Sequence, residues 1–202
     1  MKQIKLFPFL FMLVSVSSIS HAQLNKGVKE YLNIAGPVLF DNKSYQLSWS
    51  SHPSPEFYKQ EYLLKGDSLT SFKTMMLFDL LIGNLTVKQI AEAKIAELKT
   101  TTANNPLASY QTFSNPTTGE YMIDFVLTAN AAGGKATIAE RNVYRYTSFT
   151  GANGKKGVLL FGISNRSYGN DIAQFFAQLK TNRAVLVKQV TGFKIPAIKI
   201  LP

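Results

Sequence analysis

Two groups of residues have side chains that could hold or work on a ligand: His52, Glu56 and Tyr58 in one stretch, and Arg141, Arg145 and Arg166 in another. The first group lies in SWSSHPSPEFYKQEYL, which also carries Trp49 and Glu61. An imidazole beside serines and carboxylates is the raw material of a nucleophilic triad. The spacing argues against that use. Ser51 and His52 are neighbours, so on a strand they point to opposite faces. Ser50 shares a side with His52 but sits roughly 7 Å away along an extended chain, too far for a hydrogen bond. There is no Gly-x-Ser-x-Gly elbow. The stretch is read instead as a sheet corner. Trp49 packs into the core at a strand end, and Ser-Ser-His-Pro-Ser-Pro forms an exposed turn. Any work it does is recognition, because a proline-stiffened loop with aromatic flanks suits a partner contact.

Metal and cofactor chemistry lack their donors. The chain has no cysteine and two histidines, His21 and His52, too few for a zinc site. No calcium loop, Walker loop or dinucleotide glycine fingerprint is present. No cofactor, metal or catalytic residue is assigned.

The arginines come from a hairpin. EYMIDFVLTA and TIAERNVYRYTSF are strands joined by Ala-Ala-Gly-Gly. If Gly133-Gly134 closes that turn, residues whose numbers sum to 267 face each other. One face then carries Tyr121, Ile123, Phe125 and Leu127 and is the better core face. The other sets Glu120 and Asp124 beside Arg141 and Arg145. With Arg166 on the next strand, these arginines could grip a carboxylate or phosphate. The competing reading is cross-strand ion pairing with Glu120 and Asp124, worth about 0.2–1 kcal/mol per pair.

These groups depend on the elements that carry them. PVLFD and KSYQLSWSS are short strands around Asp41-Asn42, HPSPE breaks the chain, and EFYKQEYLLK resumes as a strand. SLTSFKTMMLFDLLIG is read as a buried helix, apolar nearly all round and stopped at Gly83-Asn84. Thr86-Val-Lys-Gln89 has capping-box spacing and opens a helix to about Thr101. LASYQTF, the hairpin and GVLLFGISNR supply four more strands. A helix follows Asn170, Thr181-Asn182 breaks it, and RAVLVKQVTG forms a last helix ending at Gly192. The apolar, basic tail FKIPAIKILP is expected to lie along the domain.

The chain's beginning predicts its destination. Lys2 and Lys5, the run LFPFLFMLV and Ser20-His21-Ala22 have the pattern of a cleaved signal peptide, residues 1–22. The apolar run is too short for the ~20 residues that span a bilayer. Residues 23–202 form one globular domain, periplasmic or secreted. No membrane-spanning segment is expected after cleavage. Lys2 and Lys5 leave with the leader, so 20 cations against 12 acids remain, a net charge of +8. That charge favours an anionic surface or an acidic envelope protein. No nucleic-acid motif accompanies it.

Runs of strands and pairs of helices predict an α+β domain, an antiparallel sheet covered by helices. The order and lengths of these elements resemble the PsbP-like fold, an α/β/α sandwich. The resemblance implies an accessory or partner-binding role without catalysis. It rests on element order over most of the mature chain, so no functional residue is carried over. The expected function is a non-enzymatic envelope protein that binds a protein partner or an anionic surface. Two alternatives stay open. One is a carboxylate-based hydrolase using Glu56 and Glu61 or Asp124, needing carboxylates about 5–10 Å apart in an open cleft. The other is a carrier of a small apolar ligand, held between a Met75-Met76 helix and the sheet.

Overall fold

The computed structural model describes residues 27–34, 36–130, 134–152 and 154–201. The expected leader lies outside them, as do turn residues 131–133. Eight strands are described: β1 (Val38–Phe40), β2 (Lys43–Ser54), β3 (Phe57–Leu64), β4 (Thr74–Ile82), β5 (Ser109–Ser114), β6 (Tyr121–Asn130), β7 (Ala136–Thr150) and β8 (Lys156–Tyr168). They form one antiparallel sheet in the order β1-β2-β3-β4-β8-β7-β6-β5. Two α-helices cover it, α1 (Val87–Asn104) and α2 (Ile172–Gly192). The class is α+β.

Each helix takes one face. Val87, Ala91 and Leu98 of α1 pack on Ile123, Phe125, Tyr146 and Val158. Leu186 and Val190 of α2 pack on Met122, Val143 and Phe161 on the opposite face. Both faces of the β6–β7 hairpin are therefore buried, not only the one carrying Ile123 and Phe125. The register follows the predicted sum: Tyr121 faces Tyr146, Asp124 faces Val143 and Leu127 faces Glu140. A shift enters only at the turn end, between Ala129 and Asn130.

Four expectations are corrected. The segment read as a Met-rich helix is β4. Its centre, Met75 to Leu80, is apolar on both faces except at Asp79, because β4 lies between β3 and β8 in mid-sheet. A continuous apolar run of this length has no period that separates a doubly buried strand from a buried helix. The two final helices are one. Thr181 and Asn182 sit on the exposed side of α2, where their weak helix propensity costs only tenths of a kcal/mol each, about 0.5. HPSPE breaks the chain only at Pro55-Glu56, between β2 and β3, and not from His52. β2 runs through Pro53 because its outer edge has no partner strand beyond Tyr45, and the β2–β3 register shifts between Ser51 and Ser54. Trp49 is half-buried within β2 rather than packed at its end. The described residues from Gly27 to Ile34 hold no helical turn.

The α1 start is as expected. The Thr86 hydroxyl accepts from Gln89 N–H at 3.2 Å, and the Gln89 side chain accepts from Thr86 N–H at 2.8 Å. The tail docks on its own domain. Ile195, Ile198 and Ile200 pack on the α2-side core. Lys199 N–H donates to the Leu32 carbonyl at 2.9 Å, and Leu201 N–H to that of Tyr31 at 2.8 Å. The 31–34 segment is held in turn by Gln60, fully buried, whose Oε1 accepts from the N–H groups of Tyr31 and Leu32 at 2.6 and 3.0 Å.

Candidate functional site

The β2–β3 hairpin places His52 and Tyr58 face to face. Their rings stack at 4.1 Å, and Tyr31 closes the corner with its centroid 5.5 Å from His52. His52 Nδ1 lies 3.0 Å from the Phe57 carbonyl oxygen, which can only accept, so that nitrogen carries the proton. Tyr58 is buried. Glu56 is exposed, and its carboxylate accepts from the Ser54 hydroxyl at 3.1 Å. The arrangement is an aromatic-packed turn.

The three arginines do not converge. Arg141 and Arg145 stand on the α2 face. Arg166 pairs with Glu140 on the other, with its guanidinium 4.0 Å from the Phe72 ring centre. Each is engaged by a carboxylate. Arg141 grips Asp124 through Nε and Nη2 at 3.0 and 3.1 Å, and Arg145 meets Glu120 at 2.7 Å. Arg145 also donates to the carbonyls of Thr191 and Phe193 at 3.0 and 2.9 Å, so it caps the end of α2. Asp124, fully buried, takes a second cation that the sequence did not point to. Arg183 of α2 donates from Nε at 2.6 Å, and Arg141 returns a bond to the Arg183 carbonyl at 2.5 Å. A strand parity argument finds Arg141; it cannot find a helical partner 59 positions away.

This ion triad stands between two hollows under α2. One, about 370 Å³, has Arg141 in its wall and lies toward Phe40, Tyr45 and Ile163. The other, about 530 Å³, has Arg183 in its wall and opens toward Gln111 and Phe113 of β5. Leu179 lines both. Neither involves the Met75-Met76 pair, which β4 splits between the two faces.

A second polar group lies on the α1 face, beyond α1 itself. Lys59 holds Asp79 at 2.6 Å, with Glu61 on the same face opposite Trp49. Burial pushes the Asp79 carboxyl above its usual range, against the pull of Lys59. Burial likewise raises Glu61, again opposed by Lys59. Glu61 lies diagonal to Asp79 across β3 and β4, and Asp79 is paired with Lys59 through one oxygen. Among the described residues no three His, Cys, Asp or Glu side chains are grouped to hold a metal. Nor is any described helix long and apolar enough to cross a membrane.

Comparison with known proteins adds one finding. No curated protein and no solved structure matches the chain. A family model matches residues 32–195, a span that runs from the docked N-terminal segment to the tail and takes in every strand and both helices. The chain therefore belongs to that family, which is uncharacterised.

Proposed function

We propose that the protein is an exported, non-enzymatic binding module of the bacterial envelope, and that it engages an anionic surface through α2 and the tail that follows. One observation carries this reading. From Ile172 to the chain end there is no acidic residue, while Lys180, Arg183, Lys188, Lys194 and Lys199 supply five cations. The four lysines are exposed, and only Arg183 is spent on an internal partner. A one-signed, solvated helix and tail attract anionic headgroups. The leader-like pattern of residues 1–22, Lys2 and Lys5 before an apolar run and Ser20-His21-Ala22, supports a periplasmic or secreted location. A sheet with one helix on each face supports the PsbP-like sandwich as the architecture, and with it an accessory role.

The hydrolase alternative is the weaker reading. Of its three carboxylates, Glu56 is exposed on a turn, bonded to Ser54, and Asp124 is held by Arg141 and Arg183. A carboxylate so held is poorly placed to exchange protons with a substrate.

The test is sedimentation of the chain from Gln23 onward with phosphatidylglycerol or phosphatidylcholine vesicles. Binding is expected to the anionic vesicles only and to weaken as salt rises. A K180E/K188E/K194E/K199E variant, changed only at exposed positions, is expected to lose it. Equal binding to both vesicles, or indifference to the charge reversal, would overturn the reading.

A further inference from the structure

The middle of α2 does not close on the sheet. Of its 21 residues only Ile172, Leu186 and Val190 are buried. The intervening span, about 20 Å of helix by its rise per residue, is anchored at both ends. In between, the Asp124–Arg183 contact ties it to the sheet. Its apolar side chains are left unfinished. Phe175 and Leu179 are half-buried, and Val185 is 55% exposed. Apolar side chains left in that state on a helix that faces its own core are a cost, unless something else completes the packing.

The 370 Å³ hollow beside the triad has the composition of a ligand site. Its volume falls within the ~300–1,000 Å³ of small-molecule pockets. Its floor is Phe40, Ile163 and Leu186, all apolar, with Phe175 and Leu179 overhanging. Four amide side chains line it, and three of them, Asn165, Gln178 and Asn182, make no side-chain hydrogen bond to a described residue. Lys43 and Lys73 stand at its lip. Lys43 has no carboxylate within ion-pair distance among the described residues, and Lys73 has only an exposed, 3.6 Å contact with Asp171. The one acid in the lining, Asp41, already accepts from Gln189 at 2.6 Å. Apolar floor, open amides and cationic lip together match one chemistry.

We propose that this hollow binds a single-chain anionic amphiphile, its tail under α2 and its carboxylate or phosphate head between Lys43, Lys73 and the three amides. The head draws on cations outside the α2 lysines assigned to surface binding, so the site goes beyond that reading. The tail completes the packing of Phe175 and Leu179. The ion triad fixes the height of the helix above the sheet and keeps the hollow open.

The test is calorimetric titration of the mature chain with dodecanoate, dodecyl phosphate and dodecyl maltoside, each below its micelle concentration. Saturable binding of one molecule per chain is expected for an anionic head and not for the maltoside; comparing the two anions shows which head is preferred. K43E/K73E alters two exposed side chains and is expected to weaken binding about tenfold, the weight of two surface ion contacts. Asn182→Trp, at the solvent-exposed rim of the hollow, is expected to fill it and block binding with the melting temperature preserved. K180E/K188E is expected to lose vesicle binding and keep dodecanoate binding. No saturable binding of either anion, equal binding of the maltoside, or indifference to K43E/K73E would overturn the proposal. Vesicle binding that persists in those cases leaves the surface-binding reading standing alone.

Discussion

Asp124 carries two cations and offers no surface to water, so its charge is worth most to the fold at the level of single side chains. Replacing it by Asn keeps the shape but leaves Arg141 and Arg183 facing each other with one neutral acceptor between them. Breaking a buried ion pair from one side costs about 3–5 kcal/mol. Asp124→Asn is therefore expected to lower unfolding stability by about 3 kcal/mol in urea denaturation; a loss under about 1 kcal/mol would mean that the triad adds little beyond an exposed pair. Half of this group was legible beforehand. Hairpin parity puts Asp124 and Arg141 on one face of adjacent strands, and their diagonal contact follows. Arg183 was not legible, because nothing local in a helix names the strand it will cross. The same limit hides Asp79 as the partner of Lys59, since the sequence of the strand carrying it reads as a helix.

At the scale of elements, β4 and β8 form the seam between the two halves of the sheet, and Gly162 sits at its middle. A methyl group there would lie 2.8 Å from a Tyr144 ring carbon and 3.0 Å from a Leu77 methyl. The ring crosses β8 because that position has no side chain. Gly162→Ala is expected to cost about 1–3 kcal/mol by overpacking, seen as a fall in melting temperature. Adding Tyr144→Leu should recover part of it; no recovery would place the strain in the backbone instead. Alternating strands, the capping box and the hairpin register were all readable from short windows. β4 and the continuity of α2 were not. Both depend on neighbours: β4 is apolar on both sides because it is central, and α2 passes Thr181-Asn182 because its ends are anchored.

For the whole molecule, burial of tyrosines sets the alkaline limit. Tyr45 is pushed up to about 12, by burial first and by Asp41 and Asp67 next. Burial also raises Tyr62, Tyr144 and Tyr146. Each holds its proton more tightly folded than unfolded. Their contribution is therefore complete below the ordinary phenol value of about 10 and is lost as pH climbs toward the folded values. Stability is expected to fall steadily above about pH 10. Ultraviolet titration should show these 4 of the 9 tyrosines ionising only as the chain unfolds. Full phenolate formation with the fold intact would contradict it.

The hydrogen bonds from Lys199 and Leu201 to Leu32 and Tyr31 have a kinetic consequence. A ribosome delivers residue 31 long before residue 201, so the layer under α2 cannot be sealed until the tail has been made. The central pairing, Met76 with Ile163, also waits for strands far apart in sequence. Pairings of long sequence separation are slow to form. The α2-side layer is expected to close late. An open chain is also the form that a translocation pore can thread, so late closure is what the export proposed above would require.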